Sequence, residues 1–319
     1  MAAMETGVSF VVPVYNKADW LPAVLDRIAA QRGNFDRQYV FVDDGSTDGS
    51  LDILRDKTAG WDNLVIESQT NAGSAAATNR GIALATMPYI KFVDADDLLH
   101  ADATRVLLDA LAGDEKACLA FGGVQTFSDA ATLDLEGEIG TPSVRRLARP
   151  LRQAISRSLF NPTQFLARTD CLRAVGGCDE RVVFSQEYAL TMRLARQWDF
   201  LALDATVAFL PQEVGSRLSN NQGRQLQRVT RAVQYFLEDY PDTPWSLRQY
   251  IARRMAYRAW KYHRRANKAF WPTSPVFWRQ ARAWLPILGG HAAFIERCGR
   301  VFETADRRAV RGTEEKVLG

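Results

Sequence analysis

The chain has 319 residues, 47% of them hydrophobic and 24% charged, which is enough apolar material for one large domain with an appendage and excludes a disordered or fibrous chain. Its net charge of +3 hides a division: residues 1–140 carry 10 basic and 22 acidic side chains, and residues 141–319 carry the other 30 and 15. The four cysteines, Cys118, Cys171, Cys178 and Cys298, form no Cys-x-x-Cys pair, so a zinc site is not expected and buried free thiols are.

In chain order, Val8-Ser-Phe-Val-Val-Pro-Val14 reads as a buried strand and is too short to span a bilayer. A helix follows over Asp19–Gln31, with Leu21, Val24, Leu25 and Ile28 on one face. Tyr39–Val42 is a second strand that stops at Asp43 and Asp44, and Ser50–Asp56 is helical. Leu64–Ile66 is a third strand, Ser74–Ala85 a helix of small residues, and Tyr89–Val93 a fourth strand running into Asp94-Ala-Asp-Asp97. Beyond it come a helix over Ala101–Ala112, a strand over Cys118–Phe127, a loop-like stretch over Asp129–Pro150, a helix over Phe184–Gln197 and a strand over Leu201–Leu210. This alternation predicts an α/β fold, a mostly parallel sheet with helices on both faces. From about Asn221 the pattern is helical. The predicted division is a catalytic domain over 1–220 and a basic, aromatic-rich helical region over 221–319.

In open parallel sheets ligands bind beyond the carboxyl ends of the strands, and here the second and fourth strands both end in aspartates. Carboxylates as close as Asp94, Asp96 and Asp97 repel unless a positive charge lies among them. A hard divalent cation, Mg²⁺ or Mn²⁺, suits them, because it takes one or two carboxylates and leaves positions for substrate phosphates. A solvated acidic loop capping the next helix is the competing reading. Asp43-Asp-Gly-Ser-Thr-Asp-Gly49 forms a turn and helix cap whose carboxylates can accept hydrogen bonds from a base or ribose. Asn71-Ala-Gly73, before the small-residue helix that holds Asn79 and Gly81, offers backbone N–H groups to an anion.

Taken in order, Phe10-Val-Val-Pro-Val-Tyr-Asn16, Val42-Asp-Asp-Gly-Ser-Thr-Asp48, Asn71-x-Gly73 with Asn79-x-Gly81, and Val93-Asp-Ala-Asp-Asp97 resemble the family 2 inverting glycosyltransferases of the GT-A fold, over about residues 7–215. The resemblance implies a nucleotide-diphosphate sugar donor, a divalent metal and an aspartate-x-aspartate motif. By position it puts Pro13, Val14 and Tyr15 at the nucleotide, Asp44 at the base with Asp43 beside it, Asp94 at the ribose or sugar, and Asp96 on the metal with Asp97 as a second contact. Asn71, Gly73 and Asn79 belong to the same donor site. Val175-Gly-Gly-Cys-Asp-Glu180 resembles the acceptor loop, and in Gln186-Glu-Tyr-Ala-Leu-Thr-Met-Arg-Leu194 the catalytic base falls on Glu187. Arg217 falls where the family places a loop over the diphosphate. Thr78 stands where the family often has a phosphate-contacting arginine, so that arginine is either missing or replaced by Arg80, and Gln186-Glu187 replaces a Glu-Asp pair.

The implied acceptor is a glycan or lipid-linked sugar of the cell envelope, and the expected location is cytoplasmic, peripheral on the inner face of the membrane. Residues 248–282 hold ten Lys and Arg and no acid. Two readings stand for this stretch: helices packed on the catalytic domain, or contact with anionic membrane through 248–284. Nucleic acid is not expected, since no recognised binding module is present. The alternative to an enzyme is an impaired scaffold that binds nucleic acid or an anionic surface through its basic helices.

Overall fold

The structure is a computed structural model describing residues 6–182, 186–212, 222–267 and 273–302. The chain divides into two compact units, residues 1–154 with 158–215, and residues 155–157 with 216–319.

The first unit opens with β1 (Gly7–Val14), α1 (Leu21–Ala29), β2 (Asp36–Asp43), α2 (Ser50–Lys57), β3 (Leu64–Ser68), α3 (Ser74–Leu84) and β4 (Tyr89–Phe92). β1 lies parallel between β2 and β4, and β3 extends β2 in parallel. β1 and β4 are buried along nearly their whole length, which explains their unbroken apolar runs. α1 buries Leu21, Val24, Leu25 and Ile28, a stripe at helical spacing, and carries a proline in its first turn. α3 lies so close to β1 that a Cβ on Gly81 would collide with Val11 Cγ1. Val11 is fully buried and has little room to yield. Gly81→Ala should therefore cost about 1–3 kcal/mol despite its better helix propensity, read as a lowered melting temperature.

The unit continues with β5 (Leu98–Leu99), α4 (Ala103–Ala112), β6 (Ala117–Phe127), β7 (Val144–Leu147), α5 (Leu151–Ser156), β8 (Phe165–Arg168), α6 (Thr169–Ala174), α7 (Gln186–Gln197) and β9 (Asp199–Pro211). The strand order is β3-β2-β1-β4-β8-β6-β9-β5, with β7 paired to β9. β6 and β9 run parallel, while β8, β7 and β5 run against their neighbours, so among the described residues six of the nine strands point one way. The mostly parallel expectation holds, with an antiparallel β8 wedged between β4 and β6. The stretch read as a loop over Asp129–Pro150 contains β7. Three of its four residues are exposed, so it carries no apolar alternation to read.

The second unit holds α8 (Gln222–Asp239), α9 (Trp245–Asn267), α10 (Pro275–Arg282) and a helical stretch at 291–302. Ser274 caps α10 by accepting from the Phe277 N–H at 3.4 Å, and Pro275 fills its first turn. Among the described residues, no helix is long and apolar enough to cross a membrane.

Candidate active site

β1, β2 and β4 end on one edge of the sheet, so the loops that follow them at 15–20, 44–49 and 93–97 are neighbours. The first two are tied together. The Asn16 N–H donates to Ser46 Oγ at 3.0 Å, and Asn16 Oδ1 accepts from the Thr47 N–H at 2.8 Å. The Lys17 N–H donates to Ser50 Oγ at 2.9 Å, and Asp48 Oδ2 accepts from the Ala18 N–H at 2.9 Å. Asn16 takes φ of 50°, a conformation that Asn tolerates better than most residues. The same braces leave Tyr15 49% exposed at the mouth of the site, an aromatic face open to a planar ring. Val14 differs: its side chain is in the core, and its carbonyl accepts from the Asp44 N–H at 2.8 Å. It shapes the floor of the site from beneath.

The strand-end aspartates are engaged by protein donors. Asp43 accepts from the Ser46 N–H at 3.2 Å and from Ser68 Oγ at 2.8 Å. Asp44 accepts from Gln69 Nε2 and the Ala72 N–H, both at 2.8 Å, and from the Gly73 N–H at 2.9 Å. A carboxylate offers about four acceptor positions, so Asp43 keeps about two and Asp44 about one. The N–H of Gly73 thus faces Asp44, and Asp44 fixes the loop that carries Asn71. Asn71 itself is exposed.

The Asn79 amide is engaged by a neighbouring loop. Its Oδ1 accepts from the Cys178 N–H at 2.7 Å, and its Nδ2 donates to the Cys178 carbonyl at 3.0 Å and to Glu180 Oε1 at 2.8 Å. The amide is spent on the Gly176–Glu180 loop, and Gly177 is needed there, with φ of 68° and Asn79 Oδ1 where a Cβ would lie. Arg80, the candidate substitute for that arginine, forms a paired ion bond with Glu67 on the surface. Arg217 lies outside the described residues.

The acidic run separates into distinct environments. Asp97 is 2% exposed and accepts from Thr163 Oγ1 at 2.7 Å. Thr163 also fixes Asp94, whose N–H donates to the same Oγ1 at 3.0 Å. Lys91, fully buried on β4, donates from Nζ to the Thr163 carbonyl at 2.5 Å and to the Phe92 carbonyl at 3.1 Å. Burial pushes this lysine down to about 7, against the pull of Asp97 and Asp94. Asp97 is therefore buried and held by Thr163, with Lys91 near enough to act on it through charge. Asp96 lies toward the opening, with Lys17 Nζ at 2.6 Å from its Oδ2.

Asp94 and Glu187 share one cavity with Pro13, Thr78 and Gln186. The cavity measures about 20 Å³, space for one water or one hydroxyl oxygen. Glu187 stands in the first turn of α7, and Gln186 Nε2 ties that turn to Ser74 Oγ of α3 at 2.6 Å. Burial pushes the Glu187 carboxyl up to about 7. Burial, then the charges of Asp96 and Glu187, push Asp94 to about 7, against Lys17 and Lys91. Crowded, desolvated carboxyls of this kind mark functional sites. Asp94 and Asp96 also suit a hard divalent cation that shares a diphosphate. Among the described residues no cluster of three His, Cys, Asp or Glu forms a cage of its own, and Mg²⁺ or Mn²⁺ bound through substrate phosphates needs none.

Lys17, Lys91 and Thr163 are site residues that sequence reasoning missed. A lysine inside the apolar run Tyr89–Val93 is a usable signal for Lys91, since a buried lysine demands partners. Thr163 has no such signal.

Comparison with known proteins agrees with this architecture. A 40% identical stretch of 119 residues is shared with a PGL/p-HBAD biosynthesis glycosyltransferase of Mycobacterium tuberculosis, 36% of this chain and 46% of that one. A 38% identical stretch of 99 residues is shared with a poly(ribitol-phosphate) beta-glucosyltransferase of Bacillus spizizenii, 30% of this chain and 16% of that one. The matches thus span less than half the length of these curated relatives. The crystal structure of S. aureus TarS 1-349 in complex with UDP-GlcNAc superposes with a TM-score of 0.63 at 18% identity, covering 96% of this chain and 92% of that one, which establishes a common fold. The family model described as glycosyl transferase family 2 matches residues 9–176, more than half of the chain, and the protein belongs to that family.

Proposed function

We propose that this protein is an inverting glycosyltransferase that moves a sugar from a nucleotide-diphosphate donor to a hydroxyl of a cell-envelope glycan or glycolipid. The observation that carries the proposal is the shared cavity: Glu187 and Asp94 face a hydroxyl-sized space, with Asp96 and Lys17 beside it. Glu187, uncharged only below about pH 7, is placed to take the proton of an acceptor hydroxyl as that oxygen attacks the anomeric carbon. The bond from that carbon to the diphosphate oxygen breaks, and the nucleoside diphosphate leaves. Attack from the side opposite the leaving group inverts the centre with no covalent enzyme intermediate. Tyr15 offers its exposed face to the base. Asp96, with Asp94, would hold Mn²⁺ or Mg²⁺, which supplies positive charge to the departing diphosphate.

The relatives named above are a PGL/p-HBAD biosynthesis glycosyltransferase and a poly(ribitol-phosphate) beta-glucosyltransferase, and the fold relative was solved with UDP-GlcNAc, so UDP-linked sugars are the first donors to test. A location on the cytoplasmic side of the membrane, with peripheral contact through the basic helices, fits an enzyme that meets a soluble donor and a lipid-linked acceptor.

A panel of nucleotide sugars with and without Mn²⁺ should raise the melting temperature for one donor. Saturation at one hundred times Kd adds about 2.7 kcal/mol. A protein stabilised by no nucleotide sugar, but bound by RNA in a strongly salt-dependent way, would instead be the scaffold of the alternative reading.

A further inference from the structure

The segment that follows α10 exposes three large apolar side chains and is held in that shape. Trp284 is 63% exposed, Leu285 59% and Leu288 94%. Gln249 of α9, only 3% exposed, donates from Nε2 to the carbonyls of Ala283 at 2.8 Å and Leu285 at 2.9 Å. Its Oε1 accepts from the Ile287 N–H at 3.1 Å. Trp245 Nε1 donates to the Ile287 carbonyl at 3.0 Å. Arg253 lies over the Trp284 ring at 5.0 Å and donates to the Trp284 carbonyl at 3.2 Å. Most exposed apolar loops relax toward burial. Here one buried glutamine satisfies three backbone groups and fixes the loop with two leucines and a tryptophan facing water.

Beside Leu288 lies a groove of about 430 Å³ lined by Arg279, Arg282 and Arg297 together with Gly289 and Gly290, and, among the described residues, by no acidic side chain. Arg282 Nη1 donates to the Pro286 carbonyl at 3.2 Å, and Arg279 Nη1 donates to the Arg297 carbonyl at 2.7 Å. Each guanidinium has five N–H donors, so these single bonds position the groups and leave donors for an anion.

Three occupants can be weighed. An anionic sugar polymer would satisfy the arginines but would gain nothing from Leu285 and Leu288. A second copy of this chain would cover the leucines but bring three arginines against three. A bilayer with anionic lipids satisfies both, acyl chains taking the leucines and Trp284 while lipid phosphates fill the groove. We propose that the 284–288 loop and the Arg279–Arg282–Arg297 groove form a single docking site for an anionic membrane. The proposal sharpens the membrane contact of the reading above and moves its centre to a loop at the end of the basic stretch. It does not depend on sugar transfer.

The test is co-sedimentation of the full chain with vesicles of phosphatidylcholine alone, and of phosphatidylcholine mixed with phosphatidylglycerol. Binding is expected to the mixed vesicles only. Arg279→Gln with Arg282→Gln should weaken it by about five-fold per arginine. Leu285→Ser with Leu288→Ser should weaken it by roughly ten-fold or more. Brominated acyl chains should quench tryptophan emission, and Trp284→Phe should remove most of that quenching. Unchanged melting temperatures show that the variants fold. No binding to mixed vesicles overturns the proposal. Leucine variants that bind like wild type also overturn it, since the surface would then be purely electrostatic. Loss of a concentration-dependent dimer in those variants, with vesicle binding intact, assigns the loop to a second copy and overturns it too. Donor binding, followed separately by thermal shift, can fail or succeed independently of all these outcomes.

Discussion

Glu187→Gln should lower kcat by about 10²–10⁴-fold, the usual range for removing a positioned general base, while donor affinity stays nearly unchanged. The reason is geometric. Glu187 lines the hydroxyl-sized cavity, in the first turn of a helix pinned to α3 through Gln186 and Ser74. The substitution keeps size and shape and removes only the ability to accept a proton. The wild-type pH profile should carry the same signature. A base must be ionised, so kcat/KM should rise about tenfold per pH unit below about 7 and level off above it. Asp94 titrates in the same range and lines the same cavity, so that limb belongs to the pair.

Stability should move the opposite way, which separates loss of chemistry from loss of fold. The folded-state pKa of Glu187 lies above its ordinary value of 4.5, at about 7. Between those values the folded state binds more protons than the unfolded one, so stability falls as pH rises through the window. Above about 7 the full cost of a buried charge is present. Glu187→Gln lacks that charge and should be more stable than wild type at pH 8, by about 3 kcal/mol, with the gain vanishing near pH 4. A variant that is inactive and less stable at every pH would show that Glu187 holds the fold together and would end its assignment as the base.

Much of this site is legible in the chain alone. The strand-turn pairs at Val14, Asp43 and Val93 stand out because buried strands in an open α/β sheet are unbroken apolar runs, and each here stops abruptly at polar residues. The half of the sheet built from β1 to β4 follows from that pattern. β7 and β8 do not: three of the four residues of β7 are exposed and leave no apolar run, and β8 is placed by its long-range pairing with β4 and β6. The same limit applies within the site. A run of carboxylates is visible in the sequence, but which of them face inward is not. Asp97 is matched by Thr163, 66 positions away, and the amide of Asn79, expected at the donor, goes instead to a loop 99 positions away. Contacts at such separations leave no local trace. Lys17 is the clearest case: its neighbours Asn16 and Ala18 are held by the second turn, and only that folding brings its ammonium to Asp96.

That ion pair underlies the second large effect. Asp96→Ala should lower transfer by roughly 10²–10³-fold, the several kcal/mol expected when a metal's charge is lost from the departing diphosphate. It should also abolish Mn²⁺ binding measured by electron paramagnetic resonance in the absence of acceptor. Lys17→Met should act differently. Asp96 and Lys17 are only 15% and 22% exposed, so each is the other's main counter-charge while no donor is present. Under the proposed mechanism an arriving diphosphate would offer Lys17 a better partner and would free Asp96 to hold a cation. Removing the ammonium should therefore raise the donor KM by about 10–100-fold, the worth of one charge-assisted hydrogen bond, and strengthen Mn²⁺ binding to the donor-free protein. The two variants thus shift metal affinity in opposite directions. If Asp96→Ala leaves the Mn²⁺ signal intact while Lys17→Met alone collapses turnover, the diphosphate charge is carried by the lysine, and the acidic run serves only to hold that lysine in place.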